Sequence, residues 1–161
     1  SPVRRLAILL GHMVADVAVA VALIVPILLV GLAIGVRFDT GPIGVIVFVL
    51  LGAAWSLAFS GFGYAIALKT GNPAAVNSAF LLFFPFLFLT TSYVPREQLS
   101  GWLSTVAAWN PVTYLLEGLR SLVYRGWQGT QLLQALLAVD IVGTVSMSMC
   151  FAALRGRLRR G

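Results

Sequence analysis

The sequence predicts an all-α integral membrane protein, and three observations support that prediction. Of the 161 residues, 60% are hydrophobic and only 10% are charged, which is too little charge to coat a water-soluble globule. The apolar residues occur in long runs without charge, and most charged residues lie at the ends of those runs. Because backbone polar groups in hydrocarbon must find partners within their own segment, such runs are expected to be helices.

Four apolar stretches are long enough to cross a hydrocarbon core about 30 Å thick, at about 1.5 Å per helical residue. The predicted spans are residues 17–35, 43–68, 74–94 and 132–154. We expect them to form a single transmembrane domain over residues 1–161. Residues 95–126, between the third and fourth spans, are more polar and are predicted to form an external helical hairpin that is re-entrant or interfacial.

The predicted hairpin consists of two short amphipathic helices with a break at Asn110-Pro111. Apolar side chains of the first helix recur at helical spacing: Leu99, Trp102, Leu103, Val106 and Trp109. Asn110 can accept a hydrogen bond from a free helix N–H, and Pro111 stands where a missing N–H costs nothing, so a second helix is expected to start there. Its apolar face comprises Val112, Leu115, Leu116, Leu119, Leu122 and Val123.

Glu117 and Arg120 lie three residues apart in the second predicted helix, close enough to form an ion pair. Two interpretations stay open. A pair buried in the hairpin or at a subunit seam would have a structural or gating role, because breaking a buried pair leaves an uncompensated charge. A solvated pair would contribute little.

Three further ionisable residues lie within or beside the apolar runs. Asp140 lies inside the fourth predicted span, where a carboxylate near the bilayer centre costs roughly 2.5 to 3.5 kcal/mol. It should face protein or water, or be protonated and bonded to a neighbouring helix. His12 and Asp16 lie one helical turn apart in residues 4–16, an expected interfacial segment ahead of the first span. They suggest either a proton or metal site or a polar edge at the headgroups, and two ligands are too few for zinc.

Small residues recur every fourth position in the second span, at Gly52, Ser56 and Ser60. Small side chains let helices approach closely, so this stripe is predicted to face another helix. Lys69-Thr70 matches the end of a phosphate-binding loop, but the pattern requires Gly where Leu68 stands. No nucleotide site is therefore expected in this chain.

The basic residues predict a membrane orientation rather than nucleic-acid binding, because the net charge of +6 is not gathered on one face. With both termini in the cytoplasm of a multi-pass plasma-membrane protein, the hairpin is external and most basic residues are internal. The internal set is Arg4, Arg5, Lys69, Arg155, Arg157, Arg159 and Arg160. The single Cys150 lies in an apolar run, so neither a disulfide framework nor a cysteine-rich metal site is available, and no cofactor is expected.

Several motifs resemble those of one transporter family. They are Gly71-Asn72-Pro73, Tyr93-Val94-Pro95, Gly101-Trp102-Leu103, the run Asn110-Pro111-Val112-Thr113-Tyr114, then Glu117 and Leu119-Arg120. Together they resemble the C-terminal half of an ABC-2 type exporter permease, with the daunorubicin-resistance type as the nearest subgroup. The segment 10–16 also resembles the beginning of that family's third span. The likeness runs over nearly the whole chain.

The resemblance implies a permease with six spans per subunit and an external re-entrant hairpin between the fifth and sixth. The four spans predicted here would be the third to the sixth, so the chain would be a partial permease or a fragment. Such a permease is not an enzyme: it works as a homo- or heterodimer on cytoplasmic ABC ATPase subunits and moves an amphipathic drug or lipid outward. The structural or gating candidates are Asn110, Pro111, Tyr114, Glu117, Arg120 and Asp140.

Two alternatives from other functional classes stay open. A small four-span scaffold or accessory subunit would share the same composition without transport activity of its own. A membrane-embedded enzyme would have to use Asp140 with Glu117, yet no second acidic or basic residue lies in the span of Asp140 to form an acid–base pair, and no nucleophile–base set or metal cluster is evident in the sequence.

Overall fold

The computed structural model describes residues 2–72, 74–76, 81, 84–85, 89–90, 98 and 100–158, with residues 2–6 and 157–158 described as helical backbone only. Within these ranges no residue lies in a strand, which confirms the predicted all-α class. The helices with defined bounds are α1 (Pro2–Ala33), α2 (Gly41–Thr70), α3 (Gly101–Trp109), α4 (Pro111–Tyr124) and α5 (Gly129–Leu158).

Three of these helices are long and apolar enough to cross a membrane, which indicates a multi-pass membrane protein. The candidate spans are Ala7–Ala33, Gly41–Thr70 and Gly129–Gly156. They overlap the first, second and fourth predicted spans. The third predicted span, residues 74–94, falls largely outside the described residues, so the count of four spans stays a prediction.

α1 is one continuous helix that includes residues 4–16, the segment expected ahead of the first span, and it continues past Pro26. It ends two residues before the predicted limit of the span at Gly35. Gly35 adopts a left-handed conformation with φ of 102°, and the Val36 N–H donates to the Gly31 carbonyl at 3.0 Å. This closing bond is typical of a glycine C-terminus, because glycine has no Cβ to clash in that conformation.

α2 is the central helix and packs against both α1 and α5. α1 is antiparallel to it, since Ile24 meets Gly52 near the middle of α2 whereas Leu9 packs beside Ala65 near its end. α5 is parallel to α2, because contacts advance together along both helices, from Ala58 with Gly143 to Ala65 with Cys150. The C-terminal ends of α2 and α5 therefore lie at the same end of the bundle.

α4 packs mainly against the N-terminal half of α5 and also contacts the first half of α2. Gly118 approaches Ala135 so closely that a Cβ at Gly118 would stand 2.5 Å from the Ala135 Cβ. Leu51 of α2 joins Leu115, Leu122 and Ala135 in a buried cluster. The α3–α4 unit thus lies beside the connection between α1 and α2, at the end of the bundle opposite to Lys69.

Candidate functional site

The predicted helix break is present at Asn110, where the backbone is extended with φ of −85° and ψ of 117°. The Asn110 Oδ1 accepts a hydrogen bond from the Val112 N–H at 3.0 Å, and Pro111 occupies the first helical position. Asparagine therefore satisfies a free N–H of α4 while its own backbone turns the chain out of α3. Asn110 is only 4% exposed, so this break lies inside the protein.

Three further hydrogen bonds hold the break in place. The Asn110 Nδ2 donates to the Leu89 carbonyl at 3.1 Å, and the Thr90 and Thr113 hydroxyls are 2.9 Å apart in a buried contact. The Tyr114 hydroxyl donates to the Ala108 carbonyl at 2.7 Å. Tyr114 thereby joins the start of α4 to the end of α3 and restricts the angle between the two helices.

The apolar face predicted for the first hairpin helix points away from the rest of the chain. Trp102 is 70% exposed and Trp109 is 86% exposed, whereas Ala107 on the other side of α3 is fully buried. The two indoles are consequently available to lipid or to another protein; Leu99 of the predicted face lies outside the described residues.

Glu117 lies on the buried side of α4, in a polar stripe with Thr113 and Ser121 at four-residue spacing. Its Oε1 accepts a hydrogen bond from the Arg120 Nη1 at 2.9 Å. Its Oε2 lies 3.9 Å from the Arg125 Nη1. The carboxylate is therefore shared by two guanidinium groups, with the Glu117 side chain 10% exposed and the Arg120 side chain 21% exposed.

Arg125 was not predicted as a partner of Glu117. Eight residues separate the two and Arg125 lies just after the end of α4, so the three- or four-residue spacing of helical pairs could not indicate this contact. The C-terminal end of α4 is also fixed by groups that the sequence did not single out. The Thr40 hydroxyl donates to the Leu122 carbonyl at 2.7 Å, and the Asp39 N–H donates to the Val123 carbonyl at 3.1 Å. The connection between α1 and α2 thus binds free carbonyls of α4.

The closest seam between long helices joins α2 to α5 through small residues. A Cβ at Gly61 would come within 2.6 Å of the Ser146 Oγ and 3.0 Å of the Ser146 backbone carbonyl carbon. The Ser146 hydroxyl donates to the Ala58 carbonyl across this seam, and Gly143 also faces Ala58. The seam therefore depends on side chains that are absent or very short.

Gly52, the first residue of the small-residue stripe singled out from the sequence, does not lie in this seam. A Cβ at Gly52 would come within 2.7 Å of the Ile24 Cδ1, so Gly52 faces α1 rather than α5. Ser56 and Ser60 are half-buried, and the Ser60 hydroxyl donates within its own helix to the Leu57 carbonyl at 2.9 Å. One member of the stripe thus meets a neighbouring helix at close range.

The other predicted ionisable residues have separate environments. Asp16 accepts a hydrogen bond from the Tyr64 hydroxyl of α2, and the exposed His12 ring lies 6.2 Å from the Tyr64 ring between centroids. Asp140 is exposed on α5 and is not brought to Glu117. Within the described part of the chain, no group of three His, Cys, Asp or Glu residues is placed to hold a metal ion.

Comparison with known proteins gives a family match that covers α1 to α4. The family model for ABC-2 type transporters matches residues 1–124. The daunorubicin resistance ABC transporter permease protein DrrB1 of Streptomyces coeruleorubidus is 27% identical over 124 residues, which is 76% of this chain and 44% of that protein. The probable doxorubicin resistance ABC transporter permease protein DrrC of Mycobacterium tuberculosis is 24% identical over 125 residues, 78% of this chain and 45% of that protein.

The matched segment of this chain covers less than half the length of these curated relatives. No solved structure matches it. The family model nevertheless covers most of the chain and includes the buried break at Asn110 together with Glu117 and Arg120. The chain belongs to the ABC-2 type transporter family.

Proposed function

We propose that this chain is part of a permease subunit of an ABC exporter, which moves an amphipathic drug or lipid-like substrate out of the cell. The observation that carries the proposal is the family match over residues 1–124, because relatives in that range are named as drug-resistance permeases. ATP would be hydrolysed by a separate cytoplasmic ATPase subunit, and a second permease subunit, identical or different, would complete the transport path.

The finer topology belongs to the same proposal. Four spans with both termini in the cytoplasm would place the α3–α4 hairpin on the external side, re-entrant between the third and fourth spans. Support comes from the position of α4 beside the start of α2, at the end of the bundle opposite to Lys69 and Arg155. Basic residues are enriched on the cytoplasmic side of membrane proteins, so the end that carries Lys69 and Arg155 would be the internal one and the α4 end the external one.

A gating role for the hairpin follows from its connections. α4 is bonded to the start of α2 through Thr40 and to α3 through Tyr114. A shift of α2 that accompanies closure of the ATPase subunits would therefore move α4 about the break at Asn110. Asn110, Pro111, Tyr114, Glu117 and Arg120 would position this movement, and Asp140 would face a second subunit or water in the transport path.

The experiment that tests the proposal is affinity capture of the permease from native membranes. We expect an ABC ATPase with a phosphate-binding loop to be captured in near-equal amount, together with a second permease subunit. A four-span scaffold, the alternative from another class, would be captured without such an ATPase and would leave drug accumulation unchanged on deletion. If the captured protein contained no ABC ATPase in any of several detergents, the permease assignment would be rejected.

A further inference from the structure

A groove of about 540 Å³ lies between the C-terminal ends of α2 and α5. Its volume is in the range of small-molecule sites, about 300–1,000 Å³. Apolar side chains form the walls: Ala65, Ile66 and Leu68 on α2, and Met149, Ala152 and Ala153 on α5. Lys69 is the single charged residue of the lining.

The groove exists because the α5 wall carries little side-chain volume. Ala152, Ala153 and Gly156 line it, and a Cβ built at Gly156 would meet nothing within 4 Å. The two helices are parallel and in close contact further along at Gly61 and Ser146. Past that contact the small residues of α5 leave space, so the groove opens where both spans approach the membrane surface.

Lys69 is exposed and forms no ion pair within the described part of the chain. Two carbonyls in the last turns of α2, those of Ile66 and Ala67, already have other donors. The Gly71 N–H donates to the Ala67 carbonyl at 2.8 Å, and the Thr70 hydroxyl donates to the Ile66 carbonyl at 2.8 Å. Among the described residues no carboxylate neutralises this ammonium group at the edge of the groove, and exposed Arg155 lies in the last turn of α5, at the same end of the bundle.

We propose that this groove binds an anionic phospholipid, with an acyl chain between α2 and α5 and the phosphate at Lys69. The apolar walls fit hydrocarbon, and the cation at the membrane surface complements a phosphate rather than a neutral headgroup. A lipid is favoured over a protein helix because the lining has one charged group, Lys69, which lies at the end of the groove in the last turn of α2, where a headgroup would follow an acyl chain. This inference concerns a resident lipid and does not depend on which substrate is exported.

The test measures lipid binding to the protein extracted from membranes in detergent, by native mass spectrometry. The probes are phosphatidylglycerol and phosphatidylcholine with identical acyl chains. We expect about fivefold preference for phosphatidylglycerol, as one basic residue near an anionic headgroup provides. Lys69→Gln should abolish the preference, and Lys69→Arg should retain it. Arg37→Gln is the matched control, because Arg37 is also an exposed cation but lies in the connection between α1 and α2, at the other end of the bundle.

A second variant tests the contribution of the groove volume independently of the charge of Lys69. Gly156→Phe fills open space and should lower the binding of both lipids without unfolding the protein, which its thermal melting would check. Equal binding of the two lipids, an unchanged preference in Lys69→Gln, or an equal loss in Arg37→Gln would overturn the proposal. Recovery of a co-purified peptide cross-linked to Gly156→Cys, in place of lipid, would also overturn it.

Discussion

The Glu117 carboxylate accepts a hydrogen bond from the Arg120 guanidinium at 2.9 Å, with only 10% of the Glu117 side chain exposed. The Arg120 side chain is 21% exposed and retains some contact with solvent. Glu117 is therefore the partner that depends more on the pair. Arg125, 3.9 Å from the other carboxylate oxygen, gives the acid a second cation.

The first prediction is an asymmetric response of this cluster. Glu117→Ala leaves two guanidinium groups without their shared carboxylate and should lower the free energy of unfolding by about 3 kcal/mol, the lower end of the range for a broken buried pair. Arg120→Ala should cost about 1 kcal/mol, because Arg125 still neutralises the acid and Arg120 is partly solvated. The measurement is thermal and denaturant unfolding in detergent.

The double variant shows whether the effects of the two single substitutions are coupled. If the pair is coupled, Glu117→Ala with Arg120→Ala costs less than the sum of the two single variants. Silent single variants, or strictly additive losses, would show that the contact contributes nothing to stability despite its burial.

The second prediction concerns the helix break. Asn110→Ala removes the cap on Val112 and the bond to Leu89, and should cost about 1–2 kcal/mol. Asn110→Asp retains the acceptor for Val112 but loses the donor to Leu89, so its cost should lie between wild type and Asn110→Ala.

Asn72→Ala is the matched control for the break. The Asn72 Oδ1 also accepts from a backbone N–H, that of Ala74, but Asn72 is exposed, so a few tenths of a kcal/mol are expected. Equal losses at Asn110 and Asn72 in unfolding experiments would contradict the importance of the buried position.

The third prediction tests the seam between α2 and α5. Gly61→Ala forces a Cβ into Ser146, including its backbone, and should destabilise the protein by about 1–3 kcal/mol. Gly11→Ala adds the same group to an exposed position of α1 with nothing within 4 Å. It should be neutral or raise stability by up to about 1 kcal/mol through helix propensity. If Gly61→Ala left stability unchanged while Gly11→Ala lowered it, the close contact between α2 and α5 would not be at Gly61.

The fourth prediction concerns membrane topology, which can be tested by labelling introduced cysteines. Its single cysteine, Cys150, is fully buried, so an introduced thiol can be labelled selectively. A membrane-impermeant maleimide added to intact cells should label Gln128→Cys and should not label Thr70→Cys until the membrane is opened. The reverse pattern would invert the proposed orientation.

The sequence allowed prediction of features that depend on neighbouring residues. Long apolar runs located α1, α2 and α5, and Asn110-Pro111 located the helix break, because length and capping are local properties. The spacing of Glu117 and Arg120 likewise predicted their contact.

Features that depend on helix pairing could not be predicted in this way. The Ser146 bond to Ala58 joins residues 88 apart in sequence, and the Thr40 bond to Leu122 joins residues 82 apart. Small residues occur on more than one face of α2, and nothing local to that helix shows that Gly61, rather than Gly52, faces α5. Which glycine faces α5 depends on which helix packs against each face of α2, and this is determined by the packing of the whole bundle.

The proposed role of this chain in ATP-driven export is tested most directly in inside-out membrane vesicles that contain the full permease and its ATPase. The measurement is ATP-dependent accumulation of a fluorescent amphipathic drug. We predict accumulation that needs ATP and that Asn110→Ala or Glu117→Ala reduces at equal protein level, while Asn72→Ala leaves it unchanged. Accumulation that is equal with and without ATP, or that deletion of the permease leaves unaffected, would contradict the claim.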